Sequence, residues 1–220
     1  MSVEQLISHA LPMLSPMYTV ERALDVLDEF KLKEAAVVSG DSYVGIVSEQ
    51  QLLELDQTLQ LKQVGRTTEF RPALRADAHP YEAISAVHKG NMQLLPIVDS
   101  AQHYLGCVTA ESLLGFIADN SSLPNPGGVI VLEVLPINYS MFEIARICEN
   151  DDAVILNMQC HTNESGKLEV TLKLNLTVLD GIVATFERYD YTVKEVYGNS
   201  SVNKEDMINK YNLLMNYINM

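Results

Sequence analysis

The chain has no tryptophan, only three cysteines, and 15 basic residues against 29 acidic ones. Each shortage excludes something. A formal net charge of −14 argues against DNA, RNA or an anionic membrane as a direct partner, because neutralising phosphates takes clusters of Lys and Arg. Cys107, Cys148 and Cys160 are odd in number and irregularly spaced. That speaks against a disulfide framework or a zinc site and fits a reducing cytoplasm. No apolar run approaches the ~20 residues of a membrane span, and the N-terminus lacks the basic region and apolar core of a secretory signal. Hydrophobic residues at 47% and charged residues at 20% have the balance of a globular protein.

What the chain has instead is a repeat. Thr19-Val20-Glu21-Arg22-Ala23-Leu24, Ala35-Ala36-Val37-Val38, Tyr43-Val44-Gly45-Ile46-Val47-Ser48 and Leu52-Leu53 return as His79-Pro80-Tyr81-Glu82-Ala83-Ile84, Leu95-Pro96-Ile97-Val98, Tyr104-Leu105-Gly106-Cys107-Val108-Thr109 and Leu113-Leu114. Ala23 and Ala83 are 60 residues apart, as are Val38 and Val98, whereas Gly45 and Gly106 are 61 apart, so one residue enters at the turn between them. Each copy reads as a helix, a hairpin of two short apolar strands and a second helix. Val20, Ala23, Leu24, Leu27 and Phe30 mark the buried face of the first helix, with Thr19 as its N-cap. Pro80 suits a first helical position, and Gly90-Asn91 a helix end. Two such units bury their apolar faces against each other. The expected result is a pseudo-twofold pair with a continuous core through Val38, Ile46, Val98 and Val108, and a ligand cleft at the seam between residues 14–20 and 93–98.

Ser121-Ser122-Leu123-Pro124-Asn125-Pro126-Gly127-Gly128 ends this pattern. Beyond it come a strand from Val129 to Leu135, a helix opened by Ser140-Met141-Phe142-Glu143, and a strand over 153–161 with Val154, Leu156, Met158 and Cys160 on one face. A strand follows with Leu168, Val170, Leu172 and Leu174 on its covered face, then a helix through Val178, Leu179, Ile182, Val183 and Phe186, and a last strand over 191–197. The order β-α-β-β-α-β is ferredoxin-like, with both helices on one face. Met207, Ile208, Tyr211, Leu214, Met215 and Ile218 fall on one helical stripe at the C-terminus.

The repeated order and spacing resemble the cystathionine-β-synthase (CBS) repeat, which occurs in tandem as a compact pair, the Bateman module. Residues 128–198 resemble an ACT-type domain. The whole order resembles that of small bacterial regulators of the acetoin-utilisation type. The fold class expected is therefore α+β: a CBS pair over 1–122 (repeats about 1–60 and 61–122), a linker over 123–128, an ACT-like βαββαβ domain over 128–198 and an amphipathic helix over 199–220.

The resemblance also implies ligands. In CBS pairs that hold adenosine nucleotides, Gly-x-x-Thr/Ser-x-x-Asp sets a hydroxyl near phosphate and a carboxylate on the ribose. Here Ser48 and Thr109 keep the hydroxyls, while Gln51 and Ser112 stand at the Asp positions. Thr19, Ser48, Gln51, His79, Pro96, Thr109 and Ser112 are the candidate ligand-binding residues. An adenine nucleotide (AMP or ATP) or an S-adenosyl compound is the candidate effector. In ACT domains that bind amino acids the first strand-to-helix turn usually contains Gly; the corresponding Leu135–Ser140 has none and puts Tyr139 there, which favours a dimerisation or partner-docking layer. His9, His79, His88, His103 and His161 show no metal-ligand spacing, and Cys160 and His161, adjacent on a strand, point to opposite faces. A non-catalytic, ligand-sensing homodimer of the cytoplasm is expected, with a protein-docking scaffold of degenerate clefts as the alternative.

Overall fold

In the computed structural model the described residues are 1–64 and 72–199. They belong to two compact units, the first spanning residues 1–117 and the second following from 118. The terminal apolar stripe lies outside the described residues, which end at Asn199.

The first unit contains α1 (Val20–Glu29), β1 (Glu34–Ser39), β2 (Ser42–Ser48) and α2 (Glu49–Leu53), then β3 (Leu74–Arg75), α3 (Pro80–Gly90), β4 (Leu94–Val98), β5 (Tyr104–Thr109) and most of α4 (Ala110–Asn120). Thr19 Oγ1 accepts from Arg22 N and caps α1, as its position before an apolar-periodic run requires. Val20, Ala23 and Leu27 are buried as expected, together with Val26, but Phe30 is exposed. Phe30 is the C-cap, so its backbone has already left the helix and its side chain leaves the stripe. Pro80 opens α3, and Asn91 closes it in the left-handed conformation at φ 48°.

The two copies match down to their irregularities. Leu14 pairs in parallel with Val37, and Leu74 with Ile97, 60 residues on. The antiparallel hairpins slip register between Val37 and Val38 and again between Ile97 and Val98. The extra residue lies in the second turn, where Val98 faces Tyr104 while Val38 faces Tyr43. There the Asp99 carboxylate accepts from the backbone N–H groups of Ala101 and His103 and contacts His103 Nδ1 at 2.9 Å. Gly106, at φ +145°, is indispensable, because a Cβ would stand 2.4 Å from Ile7 Cγ2.

Each hairpin is buried on both faces, which is why its strands read as continuous apolar runs rather than alternating ones. Ala35, Val37 and Val47 face the helices of their own repeat, and Leu95, Ile97 and Val108 do so in the second. Ala36, Val38, Ile46, Leu94 and Cys107 form a separate cluster between the hairpins, flanked by Leu11, Tyr43 and Tyr104. The expected continuous core is thus three clusters. Val38 and Ile46 belong to the seam, whereas Val108 belongs to the second repeat's own core, since adjacent strand residues point to opposite faces.

The second unit contains β6 (Val129–Val134), α5 (Met141–Asn150), β7 (Ile155–Thr162), β8 (Leu168–Leu174), α6 (Asp180–Arg188) and β9 (Thr192–Tyr197). The sheet order is β7-β8-β6-β9, antiparallel at every described pairing, which is the ferredoxin-like arrangement expected. Ile144, Ile147 and Cys148 of α5 and Ile182 and Phe186 of α6 cover Ile130, Leu132, Val170, Leu172 and Leu174. The face assigned to β7 needs correction. Met158 packs on the core as assigned, and Cys160 stands opposite the buried Val170 although exposed, but Val154 is exposed and Ile155 packs on the core in its place, because a bulge between Ile155 and Asn157 breaks the alternation there. Val178 is also exposed, α6 beginning only at Asp180.

The open face of this sheet is polar. Glu133 takes Lys167 Nζ at 2.6 Å, and Glu169 takes Lys194 Nζ. Asn163 Nδ2 donates to both carboxylates, at 3.1 and 3.2 Å. Both carboxyls are held below the usual carboxylate range, Glu133 chiefly by Lys167 and Glu169 chiefly by Lys194.

Candidate functional site

The hairpin turns and strand ends of the two repeats meet at the pseudo-twofold seam. Tyr104 N donates to Asp41 O at 2.7 Å, Ser42 bridges His103, and the Tyr43 and Tyr104 rings stack with centroids 6.5 Å apart. Tyr43 and Tyr104, and Ser42 and His103, are counterparts in the two repeats. The centre of the seam is therefore closed by backbone pairing and apolar side chains.

Its margin is open. A cavity of about 490 Å³ is lined by Lys33, Glu34, Ser48, Glu49 and Gln50 of the first repeat and Asn91, Met92 and Gln93 of the second. Glu34 crosses it. Its Oε1 accepts from Leu94 N at 2.9 Å and also from Gln93 N. This contact was not legible beforehand: Glu34 is an ordinary strand-start acid in sequence, and its partners lie about 60 residues away.

The seven candidate residues are placed as follows. Ser48 lines the cavity and caps α2. Its Oγ accepts from Gln51 N at 3.3 Å, while Gln51 Oε1 accepts from Ser48 N at 3.1 Å, a reciprocal capping box. Thr109 and Ser112 repeat the pairing at α4: Thr109 Oγ1 accepts from Ser112 N at 3.0 Å, and Ser112 Oγ accepts from Thr109 N and donates to Thr109 O. The positions that would hold ribose carboxylates are thus third helical residues already bonded to their caps. His79 caps α3 through Nδ1, which accepts from Tyr81 N, and its ring lies edge-on to Tyr81. Thr19 caps α1. Pro96, paired with Cys107, is buried on the seam-facing side of β4. Ser48 and Gln51 come together, as do Thr109 and Ser112; the other three stand at separate places in the unit. Among the described residues no group of three or more His, Cys, Asp or Glu is arranged to hold a metal ion.

Residues 3–57 match the family model of the CBS domain. The second repeat has the same elements, bridges and bulge 60 residues on. The N-terminal unit has the fold of a tandem CBS pair. Three solved structures illustrate the likeness. A CBS domain pair/ACT domain protein from Thermotoga maritima is 20% identical, over 54% of this chain and 98% of that one, with a TM-score of 0.49. An acetoin utilization protein from Vibrio cholerae is 19% identical, over 54% and 91%, with a TM-score of 0.47. CBSX2, solved in complex with AMP, is 22% identical, over 54% and 96%, with a TM-score of 0.46.

The ferredoxin-like unit has a cavity of its own, about 500 Å³, between the end of β6, the following turn and the α6–β9 connection. Glu133, Glu143, Lys167 and Tyr191 line it. Tyr191 Oη donates to Glu143 at 3.1 Å, and burial, reinforced by that carboxylate, pushes the phenol up to about 12. Tyr139 packs against the core of the unit.

Proposed function

We propose that the protein is a non-catalytic, ligand-responsive regulator. The CBS pair takes up an adenine nucleotide, AMP or ATP, or an S-adenosyl compound at the seam margin. The ferredoxin-like unit, of ACT type, joins two chains into a homodimer and transmits the change. The observation that carries this reading is the cavity beside Ser48, walled by both repeats. A ligand there touches both halves of the pair, so its binding energy favours one arrangement of the halves over another. The first repeat matches the CBS domain model, and the likeness to that family supports a regulatory, ligand-sensing role.

The capping boxes favour a second reading, a scaffold that docks another protein and has given up its ligand, because Gln51 and Ser112 are engaged within their own helices. Calorimetric titration with AMP, ATP and S-adenosylmethionine separates the two. The sensor binds one of them, and Gln51→Asp or Ser112→Asp strengthens that binding by about 1 kcal/mol or more, since a hydrogen bond to a charged group contributes about 1.5–3 kcal/mol. No binding by the parent protein and no gain in either variant establishes the scaffold.

A further inference from the structure

We propose that the backbone amides of Gln93 and Leu94 form an anion-binding site, that Glu34 is its built-in occupant, and that the phosphate of a nucleotide entering the seam cavity binds by displacing Glu34. This rests on the sensing role proposed above and names the group that such a ligand must replace. Both amides, consecutive at the start of β4, donate to one oxygen, Glu34 Oε1. Successive N–H groups converging on one point make a concavity suited to an anionic oxygen. Glu34 and Gln93 both line the cavity, so the site opens into the space a ligand would occupy, and Lys33 stands on the same wall.

The arrangement is one-sided. The residue equivalent to Glu34 in the second repeat, 60 positions on, is Leu94, which has no acceptor to return. The fold therefore does not require the bond, and the pair carries it at one of two equivalent places. While Glu34 is seated, its negative charge excludes a phosphate by occupation and by repulsion. When phosphate takes the amides, the carboxylate moves into solvent beside Lys33. The tie between the repeats then passes from a side chain to the ligand, which couples occupancy of the cavity to the arrangement of the pair.

The test is titration of the full chain with AMP, with adenosine as the phosphate-free control, for the parent protein, Glu34→Ala and Glu34→Gln, with the backbone amide resonances of Gln93 and Leu94 followed throughout. The expected result is AMP binding at least tenfold tighter in Glu34→Ala, an intermediate gain in Glu34→Gln, no change for adenosine, and shifts at both amides on adding AMP. Glu34→Gln keeps an uncharged acceptor and serves if the alanine variant does not fold. Equal AMP affinity in all three proteins overturns the displacement and leaves the sensing role standing. If none binds AMP, AMP is not the ligand of the cavity, and inorganic phosphate added to the variants decides the site by itself: shifts at Gln93 and Leu94 support it, and their absence overturns it.

Discussion

At the scale of single residues, the same polar group means different things in sequence and in space. Ser48, Gln51, Thr109 and Ser112 stand at a ligand motif when read along the chain, yet each completes a helix cap. The two roles share a geometry, because an N-cap hydroxyl sits where unpaired amides invite an anion. The cysteines differ in burial. Cys107 and Cys148 are buried, and desolvation pushes both thiols up to about 11, whereas Cys160 is exposed on β7. Thiolate is the reactive form, so a disulfide reagent at pH 8 should label one cysteine quickly, at Cys160, and the other two only on unfolding. Rapid labelling of all three in the native protein would contradict this packing.

At the scale of elements, the two-sided burial of the hairpins sets the stability of the pair. Val98 is 2% exposed and ends β4. Val98→Asp should cost about 3–5 kcal/mol, the order expected for an uncompensated buried charge, and should abolish the cooperative unfolding transition of the CBS pair in urea. An unchanged midpoint would remove this strand from the core. The polar face of the other sheet responds to acid. Glu133 and Glu169 have depressed carboxyls in the folded chain. Their ion pairs therefore stabilise fully above the unfolded carboxylate value of about 4.3, and that stabilisation is lost as pH falls through the lower folded values. The thermal midpoint of the parent protein should fall more steeply between pH 5 and pH 3 than that of Glu169→Gln. Parallel acid limbs would show that the network contributes nothing to folding.

At the scale of the whole molecule, the proposed homodimer follows from unfinished surfaces. The sheet order leaves β7 and β9 as edges, and Val196 and Tyr197 at the end of β9 are exposed. Exposed edges and apolar side chains are commonly satisfied by a second copy about a twofold axis. Sedimentation at micromolar concentration should give twice the 24.5 kDa of the chain. A species at 24.5 kDa would mean that the edges are managed within one chain.

The sequence by itself determined the duplication, the helix ends marked by Thr19, Pro80 and Asn91, the hairpin turns and the βαββαβ order. All of these depend on neighbours within a few positions, where propensity and periodicity act. It also carried the extra residue of the second hairpin turn, visible as the change from a 60- to a 61-residue spacing. Tertiary structure decided the rest. The bulge in β7 turned Ile155 rather than Val154 to the core, because one unpaired residue breaks the alternation on one side of it while Met158, on the other side, keeps the face assigned to it. The division of the hairpin faces between own core and seam required the second hairpin to be in place. The seam cavity and the seating of Glu34 on Gln93 and Leu94 join groups about 60 residues apart; no local pattern encodes that distance, and only the packing of one repeat against the other brings them within a hydrogen bond.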